Sequence, residues 1–181
     1  MILMLGPAGT GKSVQAGLLA AELGYVSVST GALLRSVNDD ELHERMLRGE
    51  LIDDATLQNV VAKTLEESHP DGAIILDGFP RTVAQADWLI DFTKQHTIVI
   101  ECMLHLTIDF EIARSRLLAR GRPDDTSEAI EARFKEYKDV SSKIIQHMVK
   151  AGVPIMTVNG GQSIEIVRGL VLAQMSERLK H

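Results

Sequence analysis

The chain has 181 residues, 45% of them apolar and 24% charged, and a formal charge of -6. That length suits one domain able to bury about 70% of its unfolded surface, and the composition excludes a disordered chain, which would be poor in apolar groups and strongly charged. Acids and bases are interleaved along it, so no basic stripe exists to hold a nucleic-acid backbone by counterion release, and nucleic acid is not an expected partner. The single cysteine, Cys102, excludes an internal disulfide, a Cys-x-x-Cys pair and a cysteine-based zinc cluster.

In chain order, the apolar run Met1 to Leu5 reads as a strand and carries neither the basic region nor the small-residue cleavage site of a secretory signal. No apolar stretch reaches the roughly 20 residues needed to span a bilayer, so no membrane role and a cytoplasmic location are expected. A glycine-rich turn, Gly6 to Ser13, leads into an amphipathic helix, and Tyr25 to Ser29 forms a second strand.

The stretch Gly31 to Ser68 is largely helical and reads as an insertion, with Leu57, Val60, Val61 and Leu65 on one face. Strands follow at Ala73 to Leu76 and at Thr97 to Leu104, the latter placing Cys102 as a buried thiol. A polar stretch, Arg120 to Ser127, reads as a second insertion. The next helix has a stripe of Ile130, Phe134, Tyr137, Ile144 and Met148.

Gly152 and Pro154 end that helix, Pro154 to Val158 is a fifth strand, and Asn159-Gly160-Gly161 turns into the last helix. Apolar strands alternating with helices predict a doubly wound α/β sheet, mostly parallel and covered on both faces. Such sheets bind ligands at the carboxyl ends of their strands, so both insertions are placed to move over a site there. The six histidines, at 43, 69, 96, 105, 147 and 181, lack metal-ligand spacing.

The turn Gly6-Pro7-Ala8-Gly9-Thr10-Gly11-Lys12-Ser13 matches G-x-x-x-x-G-K-[ST] between a strand and a helix, the context that gives this motif meaning. Polyphosphate needs backbone N–H groups aimed inward, which Gly6, Gly9 and Gly11 permit. The helix adds its positive end, Lys12 can reach the β and γ oxygens, and the Ser13 hydroxyl can ligate Mg2+. The loop alone implies only that a nucleoside triphosphate binds.

After the third strand stands Asp77-Gly78-Phe79-Pro80-Arg81-Thr82. Together with Ser29-Thr30-Gly31, Arg35, Gly49-Glu50-Leu51-Ile52, Gln85, Gly121-Arg122-Pro123-Asp124-Asp125 and Arg133, it makes nearly the whole chain resemble adenylate kinases. The resemblance implies one kinase domain over residues 1–181, with a P-loop NTPase-type five-stranded parallel sheet in the order 2-3-1-4-5. It also implies a helical insertion at residues 30–60 that binds a nucleoside monophosphate, a very short lid at residues 120–127, and a monomer. The implied reaction moves the γ-phosphoryl of Mg-ATP to AMP.

Under the same resemblance, Gly9, Thr10, Gly11, Lys12, Ser13, Val14, Arg116, Arg120 and the backbone at Gln162 serve ATP. Thr30, Arg35, Glu50, Leu51, Ile52, Gly78, Phe79, Pro80, Arg81, Gln85, Arg122 and Arg133 surround AMP. Lys12, Arg81, Arg120, Arg122 and Arg133 would carry the charge of the transferring phosphoryl, and Ser13 and Asp77 the Mg2+, Asp77 through water. A guanidinium grips phosphate with two parallel bonds, and the Gln85 amide offers a donor and an acceptor to an adenine edge. The Phe79-Pro80 bond is expected to be cis, as in the family.

The chain departs from the family where Gly11-Lys12-Ser13-Val14 replaces the usual Gly-Lys-Gly-Thr, and Ala32 the usual Asp. Between Gly121 and Asp125 there is no room for a long hairpin or a zinc-bearing lid, so a small closure without structural zinc is expected. Three other readings stay open: UMP, CMP or dAMP as acceptor, a weakly active nucleotide-binding module on the same fold, and a nucleotide-regulated switch. The last lacks its Asn-Lys-x-Asp and Asp-x-x-Gly signatures.

Overall fold

A computed structural model describes residues 1–36, 44, 52–68 and 73–178. Its strands are β1 (Ile2–Leu5), β2 (Val26–Ser29), β3 (Ile74–Asp77), β4 (Cys102–Thr107) and β5 (Ile155–Asn159). They form one parallel sheet in the order β2-β3-β1-β4-β5. The helices among the described residues are α1 (Lys12–Leu23), α2 (Thr30–Ser36), α3 (Asp54–Ser68), α4 (Val83–Gln95), α5 (Phe110–Arg120), α6 (Ser127–Lys150) and α7 (Ile164–Arg178).

β1 lies at the centre because every one of its side chains is apolar and can be covered from both sides. Successive residues point to opposite faces. Leu3 and Leu5 join the cluster built with Leu57, Val61, Leu89, Ile144 and Met148, while Ile2 and Met4 join that of Ala16, Leu19, Val167 and Val171. The helical stripes therefore pack as their period requires, and Cys102 is buried.

One strand is displaced from its expected place. β4 begins at Cys102 rather than Thr97, because its partner β1 begins at Ile2 and pairs it with Cys102. The preceding residues close the end of α4 instead: Thr97 has φ 58 and Ile98 donates its N–H to the Thr93 carbonyl at 2.8 Å.

The helix starts that frame the site are set locally. Thr82 caps α4 by accepting from the Gln85 N–H, Asp109 caps α5 from Glu111, and Thr126 caps α6 from Ala129. Gly121, at φ 67, ends α5 in the left-handed conformation. Between these two caps only Arg122–Asp125 connect α5 to α6, which leaves a connection too short for a hairpin. Among the described residues no helix is long and apolar enough to cross a membrane.

Candidate active site

β1, β2 and β3 all end beside one cleft of about 390 Å3, within the range of small-molecule sites. On one side runs the Gly6–Ser13 loop. Gly9 must be glycine for two reasons: its φ is 86, and a Cβ there would lie 2.8 Å from the Ala113 carbonyl oxygen of α5. The loop is thus pressed against α5, and Gly6–Gly9 and Gly11–Ser13 line the cleft.

Lys12 folds across this loop and donates to the Pro7 carbonyl at 2.8 Å. Burial pushes its ammonium down to about 8; Asp77 opposes the shift, and Arg81, Arg120 and Arg133 reinforce it. A lysine so poised is a cation awaiting an anion. Thr10 turns its hydroxyl inward to the same Pro7 carbonyl, at 2.9 Å, and Val14 is exposed at the mouth.

Asp77 ends β3 facing the loop. Its Oδ2 accepts from the Ser13 hydroxyl at 2.5 Å, while its buried Oδ1 has no hydrogen-bond partner. An orphaned carboxylate oxygen beside a hydroxyl, at the mouth of a phosphate loop, is a donor set that fits Mg2+ or one of its waters. Among the described residues no group of three His, Cys, Asp or Glu side chains gathers to hold a metal.

The far wall is cationic. Arg35, Arg81, Arg116, Arg120, Arg122 and Arg133 all line the same cleft as Lys12, although they come from five places in the chain. Arg81 donates its Nε to the Gly78 carbonyl at 2.7 Å. Gly78 has φ 88, and a Cβ there would meet the Thr30 hydroxyl at 2.6 Å, so the turn after β3 and the start of α2 can approach only through glycine. Thr30 donates to the Asp77 carbonyl at 3.2 Å.

Two further carboxylates, quoted in the lid sequence without a role, organise the arginines. The Asp125 side chain is wholly enclosed: it accepts from Arg120 Nε at 2.8 Å and from a terminal nitrogen at 2.7 Å, from Arg133 at 3.2 Å and from the Arg122 N–H at 3.2 Å. Burial alone would raise its pKa, but the Arg120 and Arg133 bonds prevail and hold it below the usual carboxylate range. Asp124 accepts from Arg133 at 2.9 Å. Their signal in sequence was the acidic pair inside an arginine-rich connection.

Arg116 is occupied differently. Its guanidinium donates to the carbonyls of Gly160, Gly161 and Gln162 at 2.7, 3.0 and 2.9 Å, tying the turn after β5 to the phosphate loop. A second recess, lined by Gly9, Thr10, Gly11, Val14, Arg116 and Gln162, lies beside that junction.

At the other end, Gln85 is fully buried. Its Oε1 accepts from the Arg81 N–H at 2.6 Å and its Nε2 donates to Asp54 at 2.7 Å. Periodicity gave no reason to single out Asp54. The Phe79 ring packs edge-on against Trp88, away from the cleft, and the Phe79-Pro80 bond is cis. Ile52 is buried in the core, Pro80 lines the cleft, and Glu50 and Leu51 lie outside the described residues. Glu136 and Tyr137 of α6, which motif reading missed, also line the cleft; burial raises the Glu136 pKa and nearby Arg81 opposes it.

Comparison with known proteins agrees with this geometry. The family model described as Adenylate kinase matches residues 4–153. An adenylate kinase of Prochlorococcus marinus is 37% identical over 97% of this chain and 98% of its own. One of a Synechococcus strain is 36% identical over the same shares, and adenylate kinase 1 of a Nostoc strain is 34% identical over 92% and 93%. A family model matching most of the chain and relatives more than 30% identical over nearly its whole length show that the chain belongs to the adenylate kinase family.

Proposed function

We propose that the protein transfers the γ-phosphoryl of Mg-ATP to AMP, yielding two ADP. The observation carrying this reading is the cleft itself: the glycine-rich loop with Lys12 and guanidinium groups from α2, the β3–α4 turn, α5 and α6 line one space. ATP would lie along Gly9–Val14, its base in the recess by Gln162 and its turn held by Arg116. AMP would lie against Thr30, Arg35, Gly78 and Arg81.

An oxygen of the AMP phosphate attacks the γ-phosphorus in line as the bond to the β–γ bridging oxygen breaks, and ADP leaves with that electron pair. This chemistry asks the protein for alignment and charge neutralisation. Lys12, Arg81, Arg120, Arg122 and Arg133 supply the positive charge. Arg120 and Arg133 would exchange the carboxylates of Asp125 and Asp124 for phosphate oxygens as the lid at residues 120–127 closes. Asp77 and Ser13 would hold Mg2+, which when bound neutralises charge on the β and γ oxygens.

On this reading the unit is one kinase domain, a monomer of the cytoplasm. A coupled assay offering ATP with AMP, dAMP, CMP or UMP tests it: AMP is expected to give the largest kcat/KM. Absence of transfer to AMP, or a clear preference for UMP, defeats the reading.

A further inference from the structure

We infer that Glu136 is a specificity-determining residue for the acceptor: its carboxylate offsets the charge of Arg81 in the empty cleft, and so weakens acceptors more the more charge their phosphate carries. The inference rests on the acceptor site proposed above and deepens it, adding a residue to which the motifs gave no role.

Its own helix leaves Glu136 without a partner. Side chains three or four positions apart on a helix are neighbours, and for Glu136 these are Ala132, Arg133, Asp139 and Val140. Only Arg133 is cationic, and it is turned away. Its Nε donates to the Ala129 carbonyl at 3.1 Å, and its terminal nitrogens donate to Asp124 at 2.9 Å and Asp125 at 3.2 Å. Tyr137, the next residue, meets His105 of β4 at 2.6 Å, which ties this turn of α6 to the sheet. Glu136 is thereby left lining the cleft.

Arg81 lines the same cleft. Its Nε is taken by the Gly78 carbonyl at 2.7 Å, so its terminal nitrogens are the ones left for an anion. Burial lowers the Arg81 pKa; Asp77 and Glu136 oppose that shift, and Arg133 and Arg35 reinforce it. Asp77 already accepts from Ser13 at 2.5 Å, and Asp124 is bonded to Arg133. Of the carboxylates in the cleft, Glu136 is the one whose charge remains to balance Arg81.

A carboxylate in that place acts on an arriving anion by repulsion, and by lowering the positive potential that Arg81 presents. A phosphate monoester carries close to two negative charges above a pH of about 6. Its stronger charge lets it displace Glu136 as the partner of Arg81, at the expense of affinity. A sulfate ester, with a single charge, is penalised half as much. The same repulsion hastens the departure of product ADP.

The test is calorimetry at about pH 7.5, where the AMP phosphate is dianionic. AMP and the sulfate ester of adenosine are titrated into the wild-type protein and into Glu136→Gln, Glu136→Ala and Glu136→Asp. Gln and Ala are good helix formers, so α6 tolerates both. Each of these two variants should bind AMP about tenfold tighter than the wild type, the scale of one like charge in a partly solvated site. The sulfate ester should gain only about threefold, half of that in free energy. Glu136→Asp, which keeps the charge, should keep the wild-type affinities.

An AMP affinity unchanged or weakened in the Gln and Ala variants overturns the inference. So does an equal gain for both esters, which would mean a change of shape and not of charge. Either result leaves the proposed reaction standing. A wild-type protein that binds neither ester defeats the acceptor site itself.

Discussion

At Gly6–Ser13 the groups offered to an anion would be main-chain N–H groups and one lysine, contributed by eight consecutive residues. Around Arg120–Thr126 they would be the guanidinium groups of Arg120 on α5 and Arg133 on α6, paired with Asp124 and Asp125. The loop follows β1 directly and lies so close to α5 that a Cβ on Gly9 would meet the Ala113 carbonyl oxygen. The lid connection is held by the same charges that it would offer to phosphate. On the proposed reading one region would be a fixed receptor and the other a set of exchangeable ion pairs, which would let so short a lid close without a hairpin.

The largest expected effect separates rate from stability at the fixed end. Lys12→Ala should lower turnover by at least about a hundredfold, the scale of losing a preorganised charge from a transferring phosphoryl, with melting unchanged or slightly raised. Arg81→Ala and Arg122→Ala should match it in rate. Near-normal turnover in all three would break the assignment of either wall.

At the exchangeable end the expected order is reversed. Asp125→Ala strips bonds from Arg120, Arg133 and the Arg122 N–H, and should cost about 2 kcal/mol, seen as a fall of about 4–8 °C in Tm. Added ATP should recover more of that loss than it stabilises the wild type, because phosphate replaces the missing carboxylate. An undiminished Tm would mean that the pairs are ornamental.

Lys12 gives the pH dependence. Its pKa is lowered to about 8, so the free enzyme sheds that proton as pH rises through 8, and kcat/KM for ATP should fall about tenfold per unit above it. Stability should move the other way. Between about 8 and the ordinary lysine range near 10.4 the unfolded chain carries the proton and the folded chain does not, so folding strengthens with pH there, and below about 8, where both carry it, this group leaves stability flat. In Lys12→Met both limbs should vanish, as read from pH-rate profiles and chemical unfolding.

The smallest effect concerns the cap that begins α6. Thr126→Ala should cost about 1 kcal/mol, or about 2–4 °C, with KM rising slightly for both nucleotides if the cap also positions Arg133. An effect on KM without one on Tm would show that the connection matters to ligand alone.

Much of this was open to a reader of the chain. The phosphate loop is legible because its chemistry is local: glycine spacing, a lysine and a hydroxyl follow one another along the backbone. The amphipathic stripes are legible for the same reason, their period being a property of the helix. Arg81 and Arg122 were legible only through resemblance, since nothing in an isolated arginine tells which way it faces. The shifted start of β4 shows the limit: Thr97 to Glu101 is apolar enough for a strand, but a strand needs a partner, and β1 begins only at Ile2.

By itself, then, the order of residues determined the elements, their faces and the anion-binding loop, all of which depend on neighbours within a turn or a strand. Tertiary structure alone decided that Asp125 would hold two arginines, that Arg116 would bind carbonyls, and that Asp54 would meet Gln85 across 31 positions. The reason is physical. A charge or an amide has no fixed partner until folding removes water and leaves one group within reach, and that choice is made by the packing of the whole sheet and its helices.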